Sequence, residues 1–183
     1  MEILIVILVI VVLIALWLVG VYNSLIKLRN KVRNQFSQID IQLKKRFDLI
    51  PNLVETVKGY AKHESETFEK VINARNSYTN AKSDSEKIEA ANEMTQAVRG
   101  LLALAESYPE LKANTNFLSL QNDLKEIEDK IGYARQFYND SVMVYNNRIQ
   151  VVPSNIVAGM FGFKEEKLFE AATEERENVK VEF

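Results

Sequence analysis

Hydrophobic positions follow two patterns along this chain: a continuous apolar run at its start, and stripes at helical spacing after it. Residues 3–21 are all apolar or glycine and carry no charge. A helix rises 1.5 Å per residue, so this run has about the length that crosses the roughly 30 Å hydrocarbon core of a bilayer. Trp17 and Tyr22 lie near its C-terminal end, where aromatic rings favour the membrane interface. The pattern predicts a retained transmembrane helix over residues 3–22, after a tail of residues 1–2.

The alternative interpretation of the apolar run is a cleaved signal peptide. No basic residue precedes the run, it is long for such a peptide, and no A-x-A cleavage site follows it. Lys27, Arg29, Lys31 and Arg33 come directly after the span. Because basic residues concentrate in cytoplasmic loops, we expect the bulk of the chain in the cytoplasm and its N-terminus outside the cell membrane. If these residues form only a solvated helix face, the opposite insertion stays open.

The first apolar stripe continues from this run without a linker. Pro51 interrupts the stripe, and a proline inside a helix removes one hydrogen bond and crowds the preceding turn. We therefore expect a kink near residues 47–51, with a complete break as the alternative, and a helix end in the polar residues 80–85. The stripe consists of Leu25, Leu28, Val32, Phe36, Ile39, Leu43, Phe47, Ile50, Val54, Val57, Ala61, Phe68, Val71 and Tyr78.

A second helix is predicted over residues 84–107. Ser83 or Asp84 is a suitable N-cap, and Tyr108-Pro109 closes the helix because a residue before proline disfavours the α region. Its inward stripe consists of Ile88, Ala91, Met94, Val98, Leu101, Leu102 and Ala105.

A third helix is predicted from Asn114 or Thr115, either of which can cap it, to just before Pro153. Its stripe advances in alternating steps of three and four, close to the heptad of a coiled coil. Residues 154–160 predict a short fourth helix. The stripe consists of Phe117, Leu120, Leu124, Ile127, Ile131, Ala134, Tyr138, Val142, Tyr145 and Ile149.

These helices define the predicted fold class. Long helices with one apolar stripe need partners of similar length, and helices joined by short connections pack as antiparallel neighbours. We predict an all-α chain, in which the transmembrane helix precedes an elongated antiparallel up-down bundle of three long helices and a short fourth. The bundle domain is expected over residues 23–160, and a C-terminal tail over 161–183 is expected to be loosely ordered from Lys164. No strand is expected outside this tail.

Composition narrows the function classes. The net charge of −2 lacks the basic excess on which phosphate binding depends, so no nucleic-acid partner is expected. Cysteine is absent and His63 is the single histidine, which is too few strong ligands for a zinc site. No P-loop, H-E-x-x-H or G-x-S-x-G motif occurs. We therefore predict no catalytic, metal-binding or cofactor-binding residues, and a protein that is not an enzyme.

Polar residues around Pro51 form the first candidate interaction site. Arg46, Asp48 and Asn52 surround the proline, and the last two share a helix face because they are four residues apart. One interpretation is a recognition patch at the kink. The other, which we favour, is that these side chains serve the backbone groups that a proline leaves unpaired.

Two tyrosine–asparagine pairs form the second candidate site. Tyr138-Asn139 and Tyr145-Asn146 are seven residues apart, so they repeat on the same helix faces. Tyrosine at a heptad position commonly buries its ring and directs its hydroxyl to a partner. A role in fixing the packing register is favoured over a ligand groove.

The loop before the third helix is the third candidate. Tyr108, Pro109, Glu110 and Lys112 combine an aromatic ring, a rigid residue and two opposite charges, as a docking surface can. The same residues, with Leu111, could instead stop the helix and plug the bundle end. Both interpretations stay open.

The motifs, in their order along the chain, resemble the LemA family of bacterial membrane proteins. They are Tyr22-Asn23 after the apolar run, R-F-D-L-I-P-N-L-V at 46–54, Y-P-E-L-K-A at 108–113, R-Q-F-Y-N at 135–139, Tyr145-Asn146 and F-G-F at 161–163. Each motif alone is weak, but together they extend over nearly the whole chain. The resemblance implies a short extracytoplasmic N-terminus, one membrane span and a helical-bundle domain, and it supplies no reaction.

The function hypothesis is a membrane-anchored scaffold or interaction protein near the cytoplasmic leaflet, bound to a protein partner or to a second copy of itself. Lys27, Arg29, Lys31 and Arg33 could also bind anionic headgroups, at about 1 kcal/mol for each basic residue at the surface. The alternative is a sensor or accessory subunit of a membrane complex that holds a small ligand between helices, near the tyrosine–asparagine pairs.

Overall fold

All regular structure in residues 1–169, the part of the chain that the computed structural model describes, is helical. The predicted all-α class is therefore confirmed for this part, which contains no strand. Six helices follow one another in residues 1–169: α1 Glu2–Lys58, α2 Ser65–Asn80, α3 Asp84–Glu106, α4 Pro109–Lys112, α5 Thr115–Gln150 and α6 Ser154–Met160.

Helix α1 joins the apolar run to the amphipathic stripe without a break. It continues through Pro51, which lies on the exposed side of the helix. A complete break at the proline is therefore wrong. Residues 1–20 are exposed apart from the half-buried Leu18, and α1 is the one helix in the described residues with the length and composition to cross a bilayer.

The end of the first helix differs from the prediction. The sequence stripe indicates a helix up to about residue 80, whereas α1 ends at Lys58 and α2 begins at Ser65. Between them, the N–H groups of Tyr60 and Ala61 both donate to the carbonyl of Val57. Gly59, a poor helix former, stands at the point where the helix ends. The stripe did not reveal this end because the spacing of the buried Val57, Ala61 and Phe68 is compatible with one continuous helix and also with two separate helices. In the described residues, the region after the apolar run thus contains two helices more than the four predicted, because α2 is separate from α1 and the α3–α5 connection forms α4.

The predicted helix starts are confirmed by their caps. The Ser83 side chain accepts from the Glu86 N–H at 3.2 Å, and the Glu86 carboxylate accepts from the Ser83 N–H at 3.3 Å, which is a capping box. At the start of α5, the Asn114 side chain accepts from the N–H groups of Asn116 and Phe117 at 2.9 and 3.1 Å. The short helix α6 also lies where the sequence predicts it.

The described chain divides into two compact units. Unit 1 consists of Met1–Ser37 and Gln136–Leu168, and unit 2 consists of Gln38–Arg135 together with Phe169. Helices α2 and α3 pack against each other within unit 2. The predicted stripe residues are buried, except for six that are half-buried: Leu28, Tyr78, Leu102, Leu120, Ile127 and Ala134.

The C-terminal segment is partly ordered by contacts. Residues 164–169 have no regular secondary structure, but residues 164–167 hydrogen-bond to α5. The expected loose order from Lys164 is therefore wrong for these residues, and the remainder of the predicted tail lies outside the described residues.

Candidate functional site

The tyrosines of α5 bind the C-terminal segment of the chain itself. The Tyr138 hydroxyl donates to the carbonyl of Lys167 at 2.9 Å, and the Tyr145 hydroxyl donates to the carbonyl of Lys164, also at 2.9 Å. Seven residues of helix cover about 10 Å, and three residues of extended chain cover about the same distance. The heptad spacing of the tyrosines therefore matches an extended segment that runs in the direction opposite to α5.

Asn146 completes this contact with two hydrogen bonds to one residue of the segment. Its amide Nδ2 donates to the Glu166 carbonyl at 2.9 Å, and its Oδ1 accepts from the Glu166 N–H at 3.0 Å. The Gln150 amide donates to the Glu165 carboxylate at 2.8 Å. We call Tyr138, Tyr145, Asn146 and Gln150 the segment-binding face. Most hydrogen bonds of this face go to backbone groups of the segment. The face therefore fixes the position of the segment and depends little on the identity of the segment's side chains.

Burial keeps the Tyr145 hydroxyl a proton donor. The Tyr145 side chain is buried, which raises its pKa, and the nearby Glu166 carboxylate raises that pKa further, while Arg29 and Arg33 oppose the shift. Tyr138 is also buried, and its ring packs edge-on against Phe36 with the ring centres 5.7 Å apart. Asn139, the remaining member of the predicted pairs, is half-buried.

Aromatic residues gather where the apolar run ends. The Tyr22 ring lies 4.8 Å from that of Phe161 and 5.8 Å from that of Phe163, measured between ring centres. The Arg29 guanidinium lies 5.1 Å from the centre of the Phe163 ring, within the range of a cation–π contact. These contacts fix residues 161–163 beside the start of the amphipathic part of α1.

The predicted membrane-proximal basic residues differ in exposure. Lys27, Lys31 and Arg33 are exposed, whereas Arg29 is half-buried. Three of the four cations are thus accessible to an anionic surface.

Arg46 lies in the core of unit 2. Its side chain is fully buried, and its guanidinium bonds the Glu128 carboxylate at 2.7 Å, the Thr95 hydroxyl at 3.0 Å and the Ala91 carbonyl at 2.8 Å. We call Arg46, Ala91, Thr95 and Glu128 the Arg46 cluster. It joins three helices, α1, α3 and α5, through one side chain.

The predicted patch around Pro51 is not assembled as one surface. Asp48 and Asn52 are exposed and share a face of α1, as expected, but Arg46 points into the core. A sequence signal for this burial exists, because Leu43, Arg46 and Ile50 follow steps of three and four like the apolar positions of a seam.

A second polar network in unit 2 was not predicted. Asp40 accepts hydrogen bonds from the Tyr78 hydroxyl and, at 3.0 Å, from the Lys87 ammonium. Burial raises the pKa of Tyr78, and so does its hydrogen bond to the Asp40 carboxylate. The network joins α1, α2 and α3.

The loop before α5 forms the short helix α4. Leu111 is fully buried and Tyr108 is half-buried, so these two residues anchor the loop to unit 2. Pro109, Glu110 and Lys112 are exposed. The loop thus combines features of both predicted interpretations, a hydrophobic stop and an exposed polar surface.

An exposed apolar helix passes directly into packed amphipathic helices. These features define the class of this molecule as a protein with an N-terminal candidate membrane span, in which all regular structure of the described residues is helical. Comparison with known proteins gives the family. The chain belongs to the LemA family, whose model matches residues 35–183.

Two kinds of relatives share most of the chain. Protein LemA of Metamycoplasma hominis is 28% identical over 88% of this chain and 74% of its own length. Magnetosome protein MamQ 2 of Paramagnetospirillum magneticum is 23% identical over 81% of this chain, and Magnetosome protein MamQ of Magnetospirillum gryphiswaldense is 21% identical over the same share. The chain spans 64% of the length of each of these MamQ proteins.

Proposed function

We propose that this protein is a non-catalytic, membrane-anchored scaffold that presents helical surfaces to a protein partner or to a second copy of itself. In this proposal α1 crosses the cell membrane once, with its N-terminus outside, and the other helices form an antiparallel up-down bundle in the cytoplasm. The observation that carries the proposal is the continuity of α1 from an unburied apolar run into a packed core.

Continuity matters because a helix transmits position better than a flexible linker does. An unbroken helix of 57 residues has a fixed rise per residue, whereas a flexible chain of the same length samples many end-to-end distances. The amphipathic part of α1 is therefore joined to the candidate span by helix and not by a flexible linker. This is the property that an anchored scaffold needs.

The exposed residues of α4 are the partner-binding surface in this proposal. Pro109, Glu110 and Lys112 are held by the buried Leu111 at the α3–α5 connection. Exposed, ordered loop residues carry binding functions more often than core residues do. Asp48 and Asn52, also exposed, form a second candidate surface.

Site-specific crosslinking in membranes tests this function. A photoreactive amino acid at Glu110 of the full-length protein should give a discrete adduct, and the adduct should disappear when Lys112→Glu is added. The same amino acid at Ser119, an exposed position on α5, is the matched control and should give none. No adduct at Glu110, or the same adducts at both positions, would contradict the proposal.

The alternative function, a small-ligand sensor or accessory subunit, has one observation in its favour. An open groove of about 680 Å³ lies between α3 and α5 in unit 2, lined by residues that include Arg99, Lys125 and Asp129. The groups proposed for a ligand near Tyr138 and Tyr145 are instead bonded to the chain's own carbonyls.

Narrowing the groove tests this alternative. Gly132 lines it, and a Cβ at this position meets nothing within 4 Å, so Gly132→Leu should occupy part of the groove without disturbing the helix. A small molecule that mass spectrometry detects in the denatured wild-type protein, but not in this variant, would support ligand binding. An identical small-molecule content in both proteins would oppose it.

A further inference from the structure

An uncharged stretch of unit 1 has no role in the function proposed above. Residues 149–163 carry no charge and are flanked by Arg148 and Lys164. Helix α6 lies inside this stretch and buries Ser154, Val157 and Ala158. Its other side is apolar and open, because Ile156 is 58% exposed and Met160 is 68% exposed.

Two further exposed apolar residues flank the helix. Val152, before α6, is 77% exposed, and Phe161, after it, is 56% exposed. We call Val152, Ile156, Met160 and Phe161 the α6 apolar face. Soluble proteins rarely leave large apolar side chains clustered in water, and clusters of this kind mark contact with a protein or a membrane.

The position of the α6 apolar face favours the membrane. The Phe161 ring packs on Tyr22, which directly follows the apolar run of α1. Helix α6 has seven residues and is therefore about 10 Å long, so Ile156 and Met160 lie within about that distance of Phe161, whose ring contacts the residue at the end of the span. The interfacial layer of a leaflet is roughly 5–8 Å deep, and amphipathic helices bury their apolar faces about 5–10 Å into it.

We propose that the α6 apolar face inserts into the phospholipid interface beside Tyr22, as a second lipid contact next to the span. The inference rests on the proposed membrane anchoring of α1. Basic residues accompany the face: the guanidinium of Arg29 lies over the Phe163 ring, and Lys164 follows directly. An uncharged apolar face with adjacent cations is the pattern of helices that lie in the plane of an anionic leaflet.

Tryptophan fluorescence in lipid vesicles tests the insertion. Trp17 is the chain's single tryptophan, so Trp17→Phe gives a silent full-length background. In it, Ile156→Trp and Met160→Trp each place one reporter on the face. After reconstitution into phosphatidylcholine–phosphatidylglycerol vesicles, we expect blue-shifted emission, and the strongest loss of intensity with lipids brominated near the headgroup end of the acyl chain.

Leu168→Trp in the same background is the matched control. Leu168 is an apolar residue of unit 1, 42% exposed, that follows Lys167. Lys167 is bonded to Tyr138, whose ring packs on Phe36, fourteen positions after Tyr22 on α1, a rise of about 20 Å. The control reporter should keep its emission in brominated vesicles.

The wild-type Trp17 separates the two proposals. If Trp17 is quenched by brominated lipid while both α6 reporters are not, the α6 contact is refuted and the anchor stands. Blue-shifted but unquenched α6 reporters would show that protein covers the face, which also refutes the lipid contact. An unquenched Trp17 would refute the anchor and, with it, the contact that depends on it.

Discussion

The buried Arg46 guanidinium makes an ion pair and two further hydrogen bonds in the core of unit 2. Removing one partner of a buried ion pair leaves desolvated groups behind and costs more than the pair contributes by itself. Here the guanidinium is fully buried, whereas Glu128 is 34% exposed and can be partly hydrated after the loss. The cost should therefore fall at the lower end of the range for buried pairs.

We predict that Arg46→Ala lowers the free energy of unfolding by about 3 kcal/mol. The loss combines the hydrogen bonds to Thr95 and to the Ala91 carbonyl with an unfilled core volume. Chemical denaturation of the detergent-solubilised protein, followed by circular dichroism, measures it. Lys45→Ala removes an adjacent but exposed cation and should stay within about 0.5 kcal/mol of wild type. Equal effects of the two variants would show that the Arg46 cluster does not contribute as described.

The raised pKa of Tyr78 predicts that the free energy of unfolding decreases at alkaline pH. Its folded-state pKa lies above its ordinary value of about 10, because burial and the Asp40 carboxylate disfavour the phenolate. The unfolded state therefore releases the proton first, so the stabilisation is fully present below about pH 10 and is lost as pH rises through the folded pKa.

We predict that Tyr78→Phe makes the decline in unfolding free energy above pH 10 shallower. Denaturation curves at a series of pH values measure the slope. Part of the decline should persist, because the pKa of Tyr145 is also raised. Asn76→Ala, an exposed change on the same helix, should keep the wild-type slope, and a wild-type slope in Tyr78→Phe would contradict the assignment.

At the scale of elements, short-range hydrogen bonds set where helices begin, and longer-range hydrogen bonds attach the C-terminal segment to α5. A cap depends on residues within one turn of the helix start. Its contribution to stability therefore does not depend on which other helices pack against that helix. The segment-binding face instead joins positions 15 to 29 residues apart along the chain. The two devices should respond differently to single substitutions.

We expect Ser83→Ala to lower the unfolding free energy by about 1 kcal/mol, because it removes the side-chain half of the capping box of α3. Thermal unfolding of the solubilised protein measures the change. The comparison is Ser77→Ala, which replaces an exposed serine inside α2 with a better helix former and should not destabilise. Equal losses of unfolding free energy in both variants would contradict a stabilising role of the Ser83 cap.

Asn146→Ala should loosen the C-terminal segment near Glu166 without unfolding either unit, because the hydrogen bonds of Tyr138, Tyr145 and Gln150 remain. The Glu166 N–H loses its acceptor, so its hydrogen exchange should accelerate about tenfold, which corresponds to about 1.4 kcal/mol. Hydrogen exchange with mass spectrometry of residues 164–169 reports it. Asn147→Ala changes the exposed neighbour and should leave these rates unchanged, while unaltered exchange in Asn146→Ala would argue against the segment-binding face.

At the scale of the whole molecule, the orientation in the membrane decides which partners are accessible. Lys27, Lys31 and Arg33 follow the apolar run and are exposed, and the proposed cytoplasmic location of the residues after it rests on them. The chain contains no cysteine, so any introduced cysteine is its single thiol.

We predict that a membrane-impermeant maleimide labels Glu2→Cys in intact cells and labels Lys62→Cys only after the cells are broken. Both positions are exposed, so accessibility should depend on the side of the membrane alone. Gel shift of the labelled protein measures the reaction. Labelling of Lys62→Cys in intact cells would reverse the proposed orientation.

The family motifs and the helical pattern predicted most helices of the fold, but they predicted less of the contacts at the candidate sites. The starts of α3 and α5 were predicted because Ser83 and Asn114 act on the N–H groups that follow them directly. The end of α1 at Lys58 was missed, because a stripe with the same spacing continues across the break. The spacing of Tyr138 and Tyr145 was recognised, but nothing in it names the segment that they bind.

The sequence by itself determined the apolar run, the helical class, the stripes that become buried and the caps, since each depends on residues within a few turns of one another. Tertiary structure alone decided that Arg46 is paired with Glu128, 82 positions away, and that residues 164–167 occupy the segment-binding face. Such contacts depend on which helix faces pack against each other in the folded protein. Periodicity in the sequence indicates only that a face is apolar, and not which face it packs against.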